Sequence, residues 1–169
     1  MHVLWAPWRM TYVKRAAKEG GMTCIFCEAL KAPEEESLVI YRNRLAFAML
    51  NKYPYNTAHV MIAPVRHVPR PELLTDEEML EIGRVLKIVL KAIDMEYSPH
   101  GYNIGANVGR VAGAGIESHL HIHVVPRWSG DTNFMPVVSE TKVMPESLRS
   151  TYVRLKRAVN KVLGKNARA

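Results

Sequence analysis

The segment His119-Leu120-His121-Ile122-His123 constrains this chain more than any other. Polar and apolar residues alternate with a period of two, and the β-strand is the element whose side chains do so. A strand from His119 to Pro126 sets three imidazoles in a row on one face and sends Leu120, Ile122 and Val124 the other way, into a core. A single core histidine at a hydrogen-bonded position is ordinary. Three aligned imidazoles are not, because each needs partners or solvent. Groups that titrate near neutrality, set side by side, serve nucleophilic chemistry, acid–base chemistry or metal binding. Same-face neighbours on a strand are roughly 6.5–7 Å apart. One ion gripped by all three therefore needs strong bending, and a catalytic line is the simpler arrangement.

The remaining patterns supply partners for that strand. Ser37 to Tyr41 and Arg44 to Leu50 read as a β-hairpin turning at Arg42-Asn43, where Asn43 tolerates the left-handed region. Ala58 to Pro64 reads as a third strand and Tyr102 to Val108 as a fourth. Thr75 to Tyr97 reads as a long helix. Thr75 and Glu78 form a capping box, and Met79, Ile82, Leu86, Val89, Leu90 and Ile93 recur at helical spacing. A final helix is expected from Pro145 to Leu163, with Leu148, Tyr152, Leu155, Val159 and Val162 on its apolar face. The first residues, to Gly21, read as an arm with a short helical piece from Tyr12 to Lys18; Trp5 and Trp8 would pack it onto the body. No βαβ alternation is present. The expected class is α+β: an antiparallel sheet of about five strands with a long helix packed on it. Residues 1–169 are expected to form one domain, with an N-terminal arm at 1–21 and a C-terminal helix and basic tail at 145–169.

Composition narrows the partners. The apolar fraction is 48% and the charged fraction 23%, ordinary for a globular protein. No apolar stretch approaches a membrane span, and the N-terminal residues lack a signal-peptide block, so a cytoplasmic protein is expected. The net charge of +7 suits an anionic partner. Much of the excess lies at Arg149, Arg154, Lys156, Arg157, Lys161, Lys165 and Arg168, a pattern that a solvated helix face also explains. A nucleic-acid-binding module has little beyond this charge to support it.

Two further features bear on chemistry. Cys24 and Cys27 are spaced C-x-x-C, which suits a redox pair, a small buried pair or half of a zinc site. Gly109 to Ser118, immediately before the histidines, is rich in small residues that let a backbone approach a phosphate closely.

His-x-His-x-His-x-x with apolar x, followed by Pro126-Arg127, resembles the signature of the histidine triad superfamily of nucleotide hydrolases and transferases. Asn51, His59, Pro64-Val65-Arg66-His67 and Asn103 to Gly109 are similar to its central segments. Trp5-Ala6-Pro7-Trp8-Arg9 and Pro126 to Phe134 resemble the branch acting on diadenosine tetraphosphate. The resemblance implies that His121 is the nucleophile, attacking an α-phosphorus to form a nucleotidyl-histidine. It implies that His123 bonds phosphate or leaving-group oxygens, with His119 beside them. His59, Asn107, backbone N–H groups near Gly115, and Trp128 would shape the phosphate site, and Asn51 would lie near the sugar. It further implies a structural zinc ion on Cys24, Cys27, His67 and His119, and a homodimer whose two sheets join. A nucleotide substrate is expected; a membrane or nucleic-acid partner is not. Related phosphorylases carry a serine where this chain has Ala114 and Gly115, so the acceptor, water or phosphate, stays open. A nucleoside phosphoramidase is the alternative enzyme.

Overall fold

A computed structural model describes residues 24–139, 141 and 143–164. The arm with Trp5 and Trp8, the expected helical piece at Tyr12 to Lys18, and Lys165 and Arg168 of the tail lie outside the described residues.

Five strands form one antiparallel sheet in the order β1-β2-β3-β5-β4. They are β1 (Val39–Arg42), β2 (Ala46–Leu50), β3 (Val60–Pro64), β4 (Gly101–Gly105) and β5 (Ile122–Arg127). The helices are α1 (Ile25–Ala29), α2 (Glu34–Ser37), α3 (Asp76–Tyr97), α4 (Met135–Ser139) and α5 (Leu148–Val162). The α+β expectation, with a five-stranded antiparallel sheet and a long helix packed on it, is met.

The two faces of the sheet have different cover. On one, Ala48, Leu50, Val60, Ile62 and Val124 meet Ile82, Val85, Val89 and Ile93 of α3 and Tyr152, Leu155 and Val159 of α5. Full burial of each such aliphatic side chain contributes about 1.5–3 kcal/mol, so this face supplies most of the hydrophobic stabilisation. On the other face, Phe26 and Ala29 of α1 cover Val39, Phe47, Met49, Met61 and Ala63 in a smaller cluster. Residues directly opposite in an antiparallel ladder share a face. His123 pairs with Met61 and Val124 with Val60, so the histidine row stands on the lightly covered face.

Several boundaries differ from the sequence expectation. The β5 ladder begins at Ile122, so His119 and His121 precede the strand. The reason is that Leu120 donates its N–H sideways to Val68 O at 2.6 Å, leaving the ladder to start later. Ser37 belongs to α2, and β1 starts after Leu38 in the left-handed region (φ 61). At the hairpin, Asn43 does not take up positive φ; its Oδ1 accepts the N–H groups of Leu45 and Ala46, both at 2.9 Å. β3 starts at Val60 because Ala58 has φ 59. β4 stops at Gly105 rather than Val108. The last helix starts at Leu148, not Pro145, because Ser147 caps it by accepting from Ser150 N–H at 3.1 Å.

The basic face of α5 is largely occupied. Arg149 pairs with Glu35, Lys156 with Glu34, Arg157 with Glu96, and Arg154 with both Glu96 and Glu146. Arg149, Arg154, Lys156 and Arg157 of this segment are thus held in ion pairs.

Candidate active site and metal centre

Extended backbone from His119 to His123 places alternate side chains on the α1 face, and each imidazole there meets a different set of partners. His121 is buried, and its Nδ1 lies 2.9 Å from the main-chain oxygen of His119. A carbonyl only accepts, so the proton is on Nδ1 and Nε2 carries an in-plane lone pair. Burial holds this imidazole below its ordinary pKa, which keeps it neutral at pH 7. A neutral imidazole with a fixed tautomer is a competent nucleophile.

His123 belongs to a second chain of bonds. The Tyr55 N–H donates to His59 Nδ1 at 3.0 Å, so the His59 proton sits on Nε2. That Nε2 lies 3.0 Å from His123 Nδ1 and donates to it. His123 therefore carries its own proton on Nε2, as a donor. Burial, with the neighbouring His123 and His121 adding to it, depresses the His59 pKa to about 3. The Tyr55 ring lies 4.5 Å from that of His59 and 5.6 Å from that of His123, between centroids. Asn51 Nδ2 is 3.4 Å from His59 Nδ1, which brings Asn51 to the row as expected.

His119 faces elsewhere. Its Nε2 donates to Pro64 O at 2.9 Å, which turns the Nδ1 lone pair toward Cys24 Sγ at 3.3 Å and Cys27 Sγ at 3.7 Å. His67 Nδ1 is 3.2 Å from Cys27 Sγ. One donor atom from each of Cys24, Cys27, His67 and His119 falls within 4.8 Å of the others. Two thiols and two imidazoles at this spacing are a donor set that suits a four-coordinate structural metal. A ligating histidine normally donates its second ring N–H to a carbonyl or carboxylate, and His119 already does so. Burial, with Cys24 adding to it, raises the Cys27 thiol pKa; a metal would reverse this by binding the thiolate.

The loop between β4 and β5 is shaped by Gly109 (φ 84) and Gly113 (φ 92), conformations that suit glycine. Asn107 Nδ2 donates to Gly113 O at 3.3 Å and braces this loop; Gly115 is exposed at its surface. Ile116 anchors the loop in the cluster under α1. Beyond His123 on the same strand face, Tyr55, Asn56, Asn103, Val125, Arg127 and Thr132 line a cleft of about 290 Å³.

The HIT domain family matches residues 32–130. The chain belongs to the HIT domain family. It is an enzyme of that family. An AP-4-A phosphorylase of Mycobacterium tuberculosis is 42% identical over 154 residues, covering 88% of this chain and 79% of that protein. A bis(5'-nucleosyl)-tetraphosphatase (asymmetrical) of Schizosaccharomyces pombe is 33% identical over 118 residues, 69% of this chain and 64% of that protein. The crystal structure of a Zn-bound histidine triad family protein from Mycobacterium smegmatis shares the fold, with a TM-score of 0.67 at 23% identity, covering 87% of this chain and all 100% of that one.

Within this HIT domain the expected site residues divide. His59 bonds with His123 and lies beside Asn51, His121 meets His123 edge to face, and Cys24, Cys27, His67 and His119 gather beside them. Trp128 follows the end of β5, and its indole N–H donates to Tyr97 O at 3.2 Å, at the end of α3. Two aromatic residues escaped the sequence reading. Tyr55 packs against His59 and His123, and Phe26 against His119 and His121. An aromatic inside a C-x-x-C spacing was the one available signal for Phe26.

Proposed function

We propose that this enzyme cleaves a phosphoanhydride at the α-phosphorus of dinucleoside polyphosphates, with His121 as nucleophile. The observation that carries this reading is the bond from His121 Nδ1–H to His119 O, which leaves Nε2 as a lone-pair donor on a buried, neutral ring. The similarity to the AP-4-A phosphorylase and the tetraphosphatase supports the substrate class.

The Nε2 lone pair forms a bond to the α-phosphorus as the bond to the bridging oxygen breaks. The His123 Nε2–H lies on the strand one side-chain repeat away and donates to the departing or non-bridging oxygen. His59 keeps that proton in place by donating to His123 Nδ1. Backbone N–H groups near Gly115, in the loop braced by Asn107, face the equatorial oxygens, where charge accumulates. An acceptor oxygen then takes the nucleotidyl group from His121 and the imidazole is regenerated.

Cys24, Cys27, His67 and His119 are read as ligands of a structural zinc ion. When bound, it would supply no open coordination position and would tie α1 to the segment after β3 and the lead into β5. For assembly, β4 lies at a sheet edge with Asn103, Ile104 and Gly105 exposed, which suits pairing of two sheets in a homodimer. Light scattering gives the mass that tests this.

The deciding experiment is incubation with diadenosine tetraphosphate, with and without inorganic phosphate. AMP plus ATP marks water as acceptor; ADP plus ATP marks phosphate. His121→Ala should abolish turnover and retain nucleotide binding. No product from either incubation, with release of AMP from an adenosine phosphoramidate, would replace this reading with the phosphoramidase.

A further inference from the structure

Phe26 is fully buried, and its ring touches two of the three histidines. Its centroid lies 4.8 Å from that of His121, with the planes 34° apart, and 5.1 Å from that of His119, at 45°. The edge of Phe47 closes on it at 6.3 Å and 66°. His123 meets His121 at 5.0 Å and 78°, edge to face.

These contacts matter because an imidazole lone pair lies in the plane of its ring. In-line attack requires that plane to contain the line toward phosphorus. The bond from Nδ1–H to His119 O fixes one point of the ring but permits it to swing about that bond. The face of Phe26 limits the swing. Phe26 is itself held, because Cys24, which precedes α1, and Cys27 within it flank Phe26 and their sulfurs face His119 and His67. It is packed among Val39, Met49, Met61 and Ala63.

We propose that Phe26 is a positioning residue that sets the plane of the His121 ring, and so the direction of its nucleophilic lone pair. Its place between the two thiols makes the C-x-x-C helix part of the aiming device as well as part of a metal cluster. The kinetic half of this inference rests on the reaction proposed above; the geometric half does not.

The test compares Phe26→Leu with Val39→Ala. The leucine keeps an apolar side chain and loses the flat face. Val39 is buried in the same cluster, so its truncation destabilises that cluster while leaving the Phe26 ring in place. Both are studied as metal-loaded protein, with zinc quantified. Two readouts are taken: kcat and KM on diadenosine tetraphosphate, and the nitrogen-attached ring protons and ring nitrogens of His121 by NMR at about pH 8, where free imidazole is neutral. For Phe26→Leu, kcat should fall about 10- to 100-fold, the range that a misplacement near 1 Å can cause, with KM changed less than about twofold. The His121 Nδ1–H signal should broaden or vanish. For Val39→Ala, the melting temperature should fall while kcat and the signal persist. The proposal is overturned if Phe26→Leu keeps both kcat and the signal, or if Val39→Ala loses them to the same degree. Should the wild-type protein turn over no dinucleotide, the substrate reading fails, and the NMR signal by itself decides whether Phe26 holds the ring.

Discussion

His59 Nε2 donates to His123 Nδ1 across 3.0 Å, and this bond assigns the proton of His123 to its other nitrogen. The assignment depends on the Tyr55 N–H, which occupies His59 Nδ1 at 3.0 Å and leaves that ring no alternative tautomer. In the proposed reaction His59 would act through His123. His59→Ala should lower kcat about 100-fold, the lower bound for losing a positioned acid. The loss should shrink when the departing group is a weak base that needs no proton. Steady-state kinetics with the phenyl ester of AMP, whose leaving group is basic, and with a nitrophenyl ester, whose leaving group is weakly basic, would check this. An equal loss on both would remove His59 from proton delivery.

Acid should destabilise the fold well before carboxylates titrate. The folded-state pKa of His59 is depressed from 6.5 to about 3 by burial and by its histidine neighbours. Between those values the unfolded chain binds a proton that the folded chain refuses, so stability rises with pH across this window and levels off above it. From about pH 7 to pH 5 the loss from this residue is about 2 kcal/mol at most. Urea unfolding at both pH values should show it, and His59→Gln should flatten the difference.

Part of this site could be read from the chain and part could not. The period-two alternation exposed the row because sheet geometry itself has that period. The start of β5 was hidden because the Leu120 N–H finds Val68 O, a contact 52 positions away that no local pattern encodes. Asn43 showed the turn but not its mechanism, since an Asn serves equally by positive φ or by a side-chain acceptor. The metal set was legible only through resemblance, as His67 and His119 are far from the cysteines in sequence. Phe26 and Tyr55 act through ring contacts with the histidines, and ordinary core packing or turn chemistry would produce the same residues.

The start of α3 and the loop carrying His67 share one anchor. Glu78 bonds back to Thr75 N–H at 2.9 Å and receives Arg66 Nη2 at 2.7 Å and Nε at 2.9 Å. The Arg66 guanidinium, helped by Thr75, holds the Glu78 carboxyl down at about 2. The stability from this carboxylate is present above its unfolded value of 4.5 and is lost as pH falls toward 2. Thr75→Ala removes the cap and should cost about 1 kcal/mol in denaturant unfolding. Arg66→Met should lower the melting temperature and also weaken zinc retention, because Arg66 precedes His67. Competition with a chromogenic chelator reads the second effect, and unchanged retention would separate the two roles.

Zinc uptake should be coupled to proton release, with a stoichiometry set by the cysteines. The Cys27 thiol is pushed up by burial and by Cys24, and zinc binds cysteine as the thiolate, so ligation displaces thiol protons. His119 brings none: it already presents its Nδ1 lone pair, with its N–H committed to Pro64 O. Binding to two thiolates should therefore release about two protons near neutral pH, and affinity should rise with pH until the thiols ionise unaided. Calorimetric titration of chelator-treated protein in buffers of different ionisation heat measures the number. Cys27→Ser should reduce the release to about one proton and lower both affinity and melting temperature. A release near zero with tight binding would mean that the thiols are not ligands, and the metal reading of this cluster would fall.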